Sequence, residues 1–123
     1  MKHLAFAALA THLPADLARG ASPDAPVMEI VTFRLIEGAD QKQFLAAAAR
    51  TEAMLRDRGD LIRRFLTVDD TGLWTDLIEW RSQTAAKSAA AEVIKSPDFQ
   101  PLMAMIDVET VTMRHAGILW RME

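Results

Sequence analysis

Five side chains place a polar or chemically active group on stretches that are otherwise apolar. His115 alternates with Val111 and Met113 over Glu109–Ala116 and is the only histidine beyond the first 26 residues. Glu29 sits among Val27, Val31 and Phe33. Arg63, Trp74 and Asp76 fall within LIRRFLTVDDTGLWTDLIEW, residues 61–80. An ionisable group on an apolar face needs a partner or a purpose. An imidazole beside a carboxylate is a base suited to deprotonating a phenol-like or enol-like molecule. Arg63 would then hold the anion formed, with Trp74 stacked near it, and Asp76 lies on the same hairpin face as a diagonal neighbour of Arg63. The plainer reading of the same residues makes His115–Glu29 and Arg63–Asp76 polar pairs at an interface between copies, and Trp74 core packing.

The elements that must position these groups follow from pattern. Val27–Ile36 is rich in β-branched and aromatic residues, and Pro26 bars a helix just before it, so it reads as a strand apolar on both sides. Asp40 with Gln43 forms a capping-box pattern that opens a helix ending at Gly59, with Phe44, Ala48, Thr51 and Leu55 on its apolar face. Leu61–Trp80 is a hairpin turning at Asp69-Asp70-Thr71-Gly72. A loop of two or four residues puts Arg63, Trp74 and Asp76 on one face, and a loop of three or five exchanges the pairing. Ser82 caps a second helix to about Ile94, with Ala85, Ala89 and Val93 on one side. Ser96-Pro97 starts a short third helix carrying Phe99, Leu102, Met103 and Ile106, and Glu109–Ala116 returns to alternation. Beyond Gly117 lies an apolar tail, Ile118-Leu119-Trp120, ended by Arg121-Met122-Glu123.

Strand, helix, strand, strand, helix, short helix, strand is the βαββαβ order of an α+β, ferredoxin-like fold. It predicts a four-stranded antiparallel sheet with the main helices on one face, and it sets the first strand, with Glu29, beside the last, with His115. The opposite face keeps large apolar side chains that monomers rarely expose, which predicts a homodimer packed sheet to sheet.

The totals narrow the field. The chain has 123 residues, 14 Lys/Arg against 17 Asp/Glu, and no cysteine. That suits one domain and excludes a disulfide framework, a thiolate nucleophile and Cys-ligated zinc. The slight acidity argues against a nucleic-acid partner, and no apolar run spans a bilayer. One domain histidine with scattered carboxylates matches no metal-ligand spacing, and the glycines are isolated turn residues rather than a phosphate loop. Residues 1–26 read as a separate N-terminal helical extension or leader with its linker, and 27–123 as the domain. A retained segment with no cysteine fits a cytoplasmic protein; cleavage as a signal peptide would make it periplasmic.

EIVTFRLIEGADQKQFLAAAARTEAML, LWTDLIEW and SPDFQPLMAMIDVETVTMRH together resemble the dimeric α/β-barrel superfamily, and within it the small proteins related to antibiotic biosynthesis monooxygenases. The resemblance covers about Val27–Leu119. It implies a pocket between sheet and helices for a small apolar or aromatic molecule. It also implies a cofactor-independent monooxygenase reaction on an aromatic or enolisable compound, in which the anion passes an electron to oxygen with no cofactor. The haem-degrading relatives use an Asn-Trp-His set, and this chain has no asparagine; relatives that hold substrate with tyrosine have no counterpart here. Those absences favour a second reading, a non-enzymatic ligand-binding or assembly module of the same fold.

Overall fold

The structure is a computed structural model and describes residues 24–123; the N-terminal extension or leader expected from the sequence lies almost wholly outside them. Strand β1 (Val27–Leu35) has Val27, Glu29, Val31 and Phe33 buried while Met28, Ile30 and Thr32 are half-buried. One face is therefore covered by helices and the other stands partly open. Helix α1 (Gln41–Arg50) begins where the Asp40 carboxylate accepts the Gln43 amide at 3.2 Å. The expected single helix is divided at Thr51. Its hydroxyl donates to the Ala48 carbonyl at 2.6 Å and its amide bonds the same carbonyl, which tightens the turn before α2 (Glu52–Arg58). Gly59 then ends α2 at φ 78°, a conformation glycine adopts without cost.

Strands β2 (Leu61–Val68) and β3 (Trp74–Trp80) form the hairpin. Its loop has five residues, because Asp69 organises it through Leu73. The Asp69 carboxylate accepts the Thr71 hydroxyl at 2.7 Å, the Thr71 amide at 2.9 Å and the Leu73 amide at 3.0 Å. Helix α3 (Gln83–Val93) is capped by Ser82 and buries Ala86 and Ala89, with Val93 packed against the core; of the expected Ala85–Ala89–Val93 stripe only Ala85 gives way, to Ala86. A 3₁₀ turn (Pro97–Phe99) leads into α4 (Gln100–Ala104), and Phe99, Leu102, Met103 and Ile106 are buried as the pattern predicts. Strand β4 (Ile106–Gly117) is longer than expected and shifts register against β1 between Thr32 and Arg34.

The sheet order is β2-β3-β1-β4, with each neighbouring pair antiparallel. This is the ferredoxin-like order, with the first strand between the third and the last. No helix among the described residues is long and apolar enough to cross a membrane.

The turn makes a first prediction. The Thr71 hydroxyl, then the Leu73 amide, hold the Asp69 carboxyl below its ordinary value of 3.8. A lowered folded pKa contributes stability above the ordinary value and loses it as pH falls through the folded value. The amide shifts of Thr71 and Leu73, followed by NMR, are expected to stay flat until pH drops below about 3.8 and then to move together. In Asp69→Ala that acid transition should vanish. Its persistence would show that another group governs the turn.

Candidate functional site

The five-residue loop decides which side chains meet. Leu66 lies opposite Asp76, Arg64 opposite Ile78 and Arg63 opposite Glu79 in one register, which shifts only between Arg63 and Leu61, the partner of Trp80. Arg63 and Asp76 thus do not share a face, contrary to the sequence expectation; the odd loop length exchanges the pairing. Arg64 takes the place beside Asp76 on the helix-covered face. Its Nε and Nη2 donate to the two Asp76 oxygens at 2.9 and 2.7 Å, and its Nη1 donates to Thr51 Oγ1 at 2.9 Å. The helix break at Thr51 therefore gives the guanidinium a third anchor. Burial alone would lower the Arg64 pKa, but the Asp76 carboxylate and, further off, Glu29 raise it above the usual arginine value. Arg64 is charged at every working pH.

Glu29 and His115 are register partners on β1 and β4, both 7 % exposed, and His115 Nε2 lies 3.0 Å from Glu29 Oε1. A carboxylate accepts, so Nε2 donates in this contact and Nδ1 is left for another partner. That Nδ1 is buried without a hydrogen-bond partner among the described residues. Asp76 stands opposite Val31, and Glu29 opposite Ile78, so the two carboxylates are diagonal neighbours across β1 and β3. The result is one polar row crossing all four strands beneath the helices: Arg64, Asp76, Glu29, His115.

A cavity of about 80 Å³ lies between this row and the helices, with Glu29, Asp76 and Trp80 on its sheet wall and Ala90, Val93 and Ile94 of the α3 region opposite. His115 sits behind Glu29 rather than on the wall. Trp74 is elsewhere. It is buried, lies parallel to Phe33 at 6.4 Å and meets Phe44 edge-on at 4.9 Å, so it is core. Trp74→Ala is expected to cost about 3–5 kcal/mol of unfolding free energy in a denaturant titration. A loss near zero would mean that the aromatic cluster does not hold α1 to the sheet. A larger depression of about 510 Å³ opens at the surface between α1–α2 and β2. Arg63 and Arg64 line it together with Glu52 and Arg56, an exposed i,i+4 bridge at 2.9 Å, but neither Glu29 nor Asp76 does; a proton acceptor on the wall favours the smaller site. Among the described residues no three His, Cys, Asp or Glu side chains are grouped to hold a metal.

Reading by residue type found Glu29, His115 and Asp76 but missed Arg64 and Thr51. Thr51 was visible only as an apolar-face residue. Arg64 needed the loop length.

No family model matches the chain, and no curated protein matches it. Solved structures do. A protein of Shewanella oneidensis aligns at 14% identity over 77% of this chain and 92% of its own, with a TM-score of 0.56. SnoaB, a cofactor-independent oxygenase from Streptomyces nogalater, aligns at 17% over 80% and 96%, with a TM-score of 0.53. The hydroxynitrile lyase of Passiflora edulis aligns at 16% over 78% and 95%, with a TM-score of 0.52. At such identities the likeness lies in the backbone, and its conclusion concerns architecture: the chain shares with these structures a ferredoxin-like α+β fold, a four-stranded antiparallel sheet with helices.

Proposed function

We propose that the chain binds a small molecule between sheet and helices and removes a proton from it, with Glu29 as acceptor and His115 behind it. The observation that carries this reading is the buried Glu29–His115 pair at 3.0 Å, whose carboxylate lines the cavity. Glu29 meets the ligand and is the catalytic residue; His115, whose Nε2–H donates to Glu29, is a positioning residue that orients the carboxylate. The roles are thus reversed from a histidine base tuned by a carboxylate. Arg64 is spoken for by Asp76 and Thr51, so it stabilises an anion at a distance rather than by contact. Arg63 and Trp74, expected at the ligand, lie on the outer face and in the aromatic core.

An enolate or phenolate formed at Glu29 is electron-rich enough to reduce oxygen without a cofactor, which is the monooxygenase reading on an aromatic or enolisable compound. A cofactor-independent oxygenase among the structural neighbours is in keeping with it. The hydroxynitrile lyase neighbour is in keeping with the broader statement, since cleaving a cyanohydrin also begins with loss of a proton. The cavity volume favours a second reading. At about 80 Å³ it is smaller than the roughly 150 Å³ that accepts benzene in an engineered core. An aromatic ring enters only if the C-terminal end of α3, at Val93 and Ile94, moves outward. A non-enzymatic binding module would need no more room than is present.

The two readings separate in one assay. The α-hydrogens of small cyclic ketones exchange slowly with D₂O, and a buried base should accelerate that exchange in an NMR time course. Acceleration together with oxygen uptake on a phenol or ketone supports the monooxygenase. Binding by thermal shift with no acceleration for any compound would leave only the module. The partner in either case is a second copy, met through the open sheet face, where Phe65 is 55% exposed beside half-buried Ile30 and Leu77.

A further inference from the structure

Helix α3 is held differently at its two ends. Before its N-terminus, the Arg81 amide donates to the Asp60 carbonyl at 2.9 Å and Arg81 Nε to the Gly59 carbonyl at 3.0 Å, while Ser82 caps the first turn. At the other end, Glu92 Oε2 lies 2.7 Å from Arg58 Nη1. Both attachments reach residues 58–60, so the turn between α2 and β2 grips the helix twice.

The second grip is the one built to let go. The Arg58 side chain is only 9% exposed, and it donates to Asp60 through Nε at 3.2 Å and Nη2 at 2.8 Å. Losing Glu92 therefore leaves the guanidinium paired, and Glu92, with a side chain 57% exposed, passes into water. Its place is unfavourable to the helix itself. A carboxylate in the last turn meets the negative end of the helix dipole, and no basic residue of that turn offsets it. The packing beneath is shallow as well. Ala86 and Ala89 are the buried residues of α3, and methyl groups interlock little with the sheet, while Val93 and Ile94 at the releasable end are half-buried.

We propose that Arg58–Glu92 is the latch of the ligand cavity, made as seen here and broken when a ligand enters, with α3 tilting about its Arg81 end. The movable wall lies where the latch is. Ala90, Val93 and Ile94 bound the cavity from α3, and its volume of about 80 Å³ has to grow before a ring fits. A ligand that pushes this wall outward draws Glu92 from Arg58, so the ion pair sets how strongly the closed wall is favoured. A neutral ligand is then bound more tightly when the pair is weakened, by substitution or by salt. The latch rests on the ligand site proposed above and adds its regulation.

Phenol, neutral at pH 7, is the probe, and the full chain is compared with Glu92→Gln, which keeps the size of the side chain and removes its charge. By NMR titration phenol should bind the variant about two- to fivefold more tightly, the worth of an exposed ion pair. Raising NaCl from about 0.02 to about 0.5 M should close most of that gap by tightening binding to the parent. Backbone amides of residues 90–95 should exchange with D₂O faster in the variant, while those of residues 85–88 keep the parent rate. Relief of the helix dipole alone predicts the opposite sign, slower exchange in the last turn. Exchange at residues 90–95 that is unchanged or slower would overturn the latch. So would phenol affinity that is equal or weaker in the variant, since the pair would then play no part in admitting a ligand. Faster exchange with no phenol binding by either protein would uphold the movable wall and overturn the ligand site it serves.

Discussion

Replacing Asp76 by alanine is expected to remove about 3–5 kcal/mol of stability, because it strands a buried guanidinium. Arg64 and Asp76 have side chains only 16% and 12% exposed, and they share two hydrogen bonds at 2.9 and 2.7 Å. Arg64 cannot escape by losing its proton. A guanidinium keeps its proton in proteins even without its carboxylate partner, so the loss is independent of pH in any practical range. For a domain of this size each kcal/mol moves the melting temperature by about 4–8 °C, so the variant should melt more than about 12 °C below the parent. Thr51 retains one hydrogen bond to Arg64, which softens the loss without cancelling it. Arg64→Met/Asp76→Leu removes both charges and should recover most of the stability, since a buried pair replaced by apolar groups of similar volume is often neutral. A single variant that loses less than about 1 kcal/mol, as an exposed bridge would, would show that the pair is solvated and that the row is not a buried device.

The second large effect concerns chemistry. Glu29→Gln keeps the size of the side chain and its hydrogen bond to His115 but cannot accept a proton. It should slow ketone α-proton exchange by about 10²–10⁴-fold, the usual worth of a positioned general base. His115→Ala should cost less in the same assay and act mainly on the rate constant, because the imidazole sits behind the carboxylate rather than against the ligand. If His115→Ala abolishes exchange while Glu29→Gln retains it, the imidazole is the base and the order of the pair must be exchanged.

These expectations rest on side chains whose grouping the sequence disclosed unevenly. The element order was legible from β-branched runs, caps at Asp40, Ser82 and Ser96, and the turn at Asp69–Gly72. It fixed the topology, and topology alone placed Glu29 beside His115. The hairpin register was not legible. Loops of four and five residues differ by one position, yet the difference moves every side chain of β2 to the other face. What sets five is a single carboxylate accepting three hydrogen bonds, the last from Leu73, a residue that reads as strand. Hence Arg63 and Arg64 exchanged places, and with them a ligand contact became an outer-face ion pair with Glu79 and a silent arginine became part of the row. The C-terminal tail is the converse case. Trp120 and Met122 alternating with Arg121 and Glu123 is visible in the sequence, but which side faces the sheet is decided by Glu79, 42 residues before Arg121, whose guanidinium donates to it.

The central claim, that the small molecule sits against Glu29 between sheet and α3, is tested most directly by a crystal structure with a phenol or cyclic ketone bound. Density for the ligand is expected within hydrogen-bond distance of the Glu29 carboxylate, with Val93 and Ile94 displaced outward. A ligand found instead in the open groove beside β2, with the Glu29–His115 pair closed and unchanged, would contradict it.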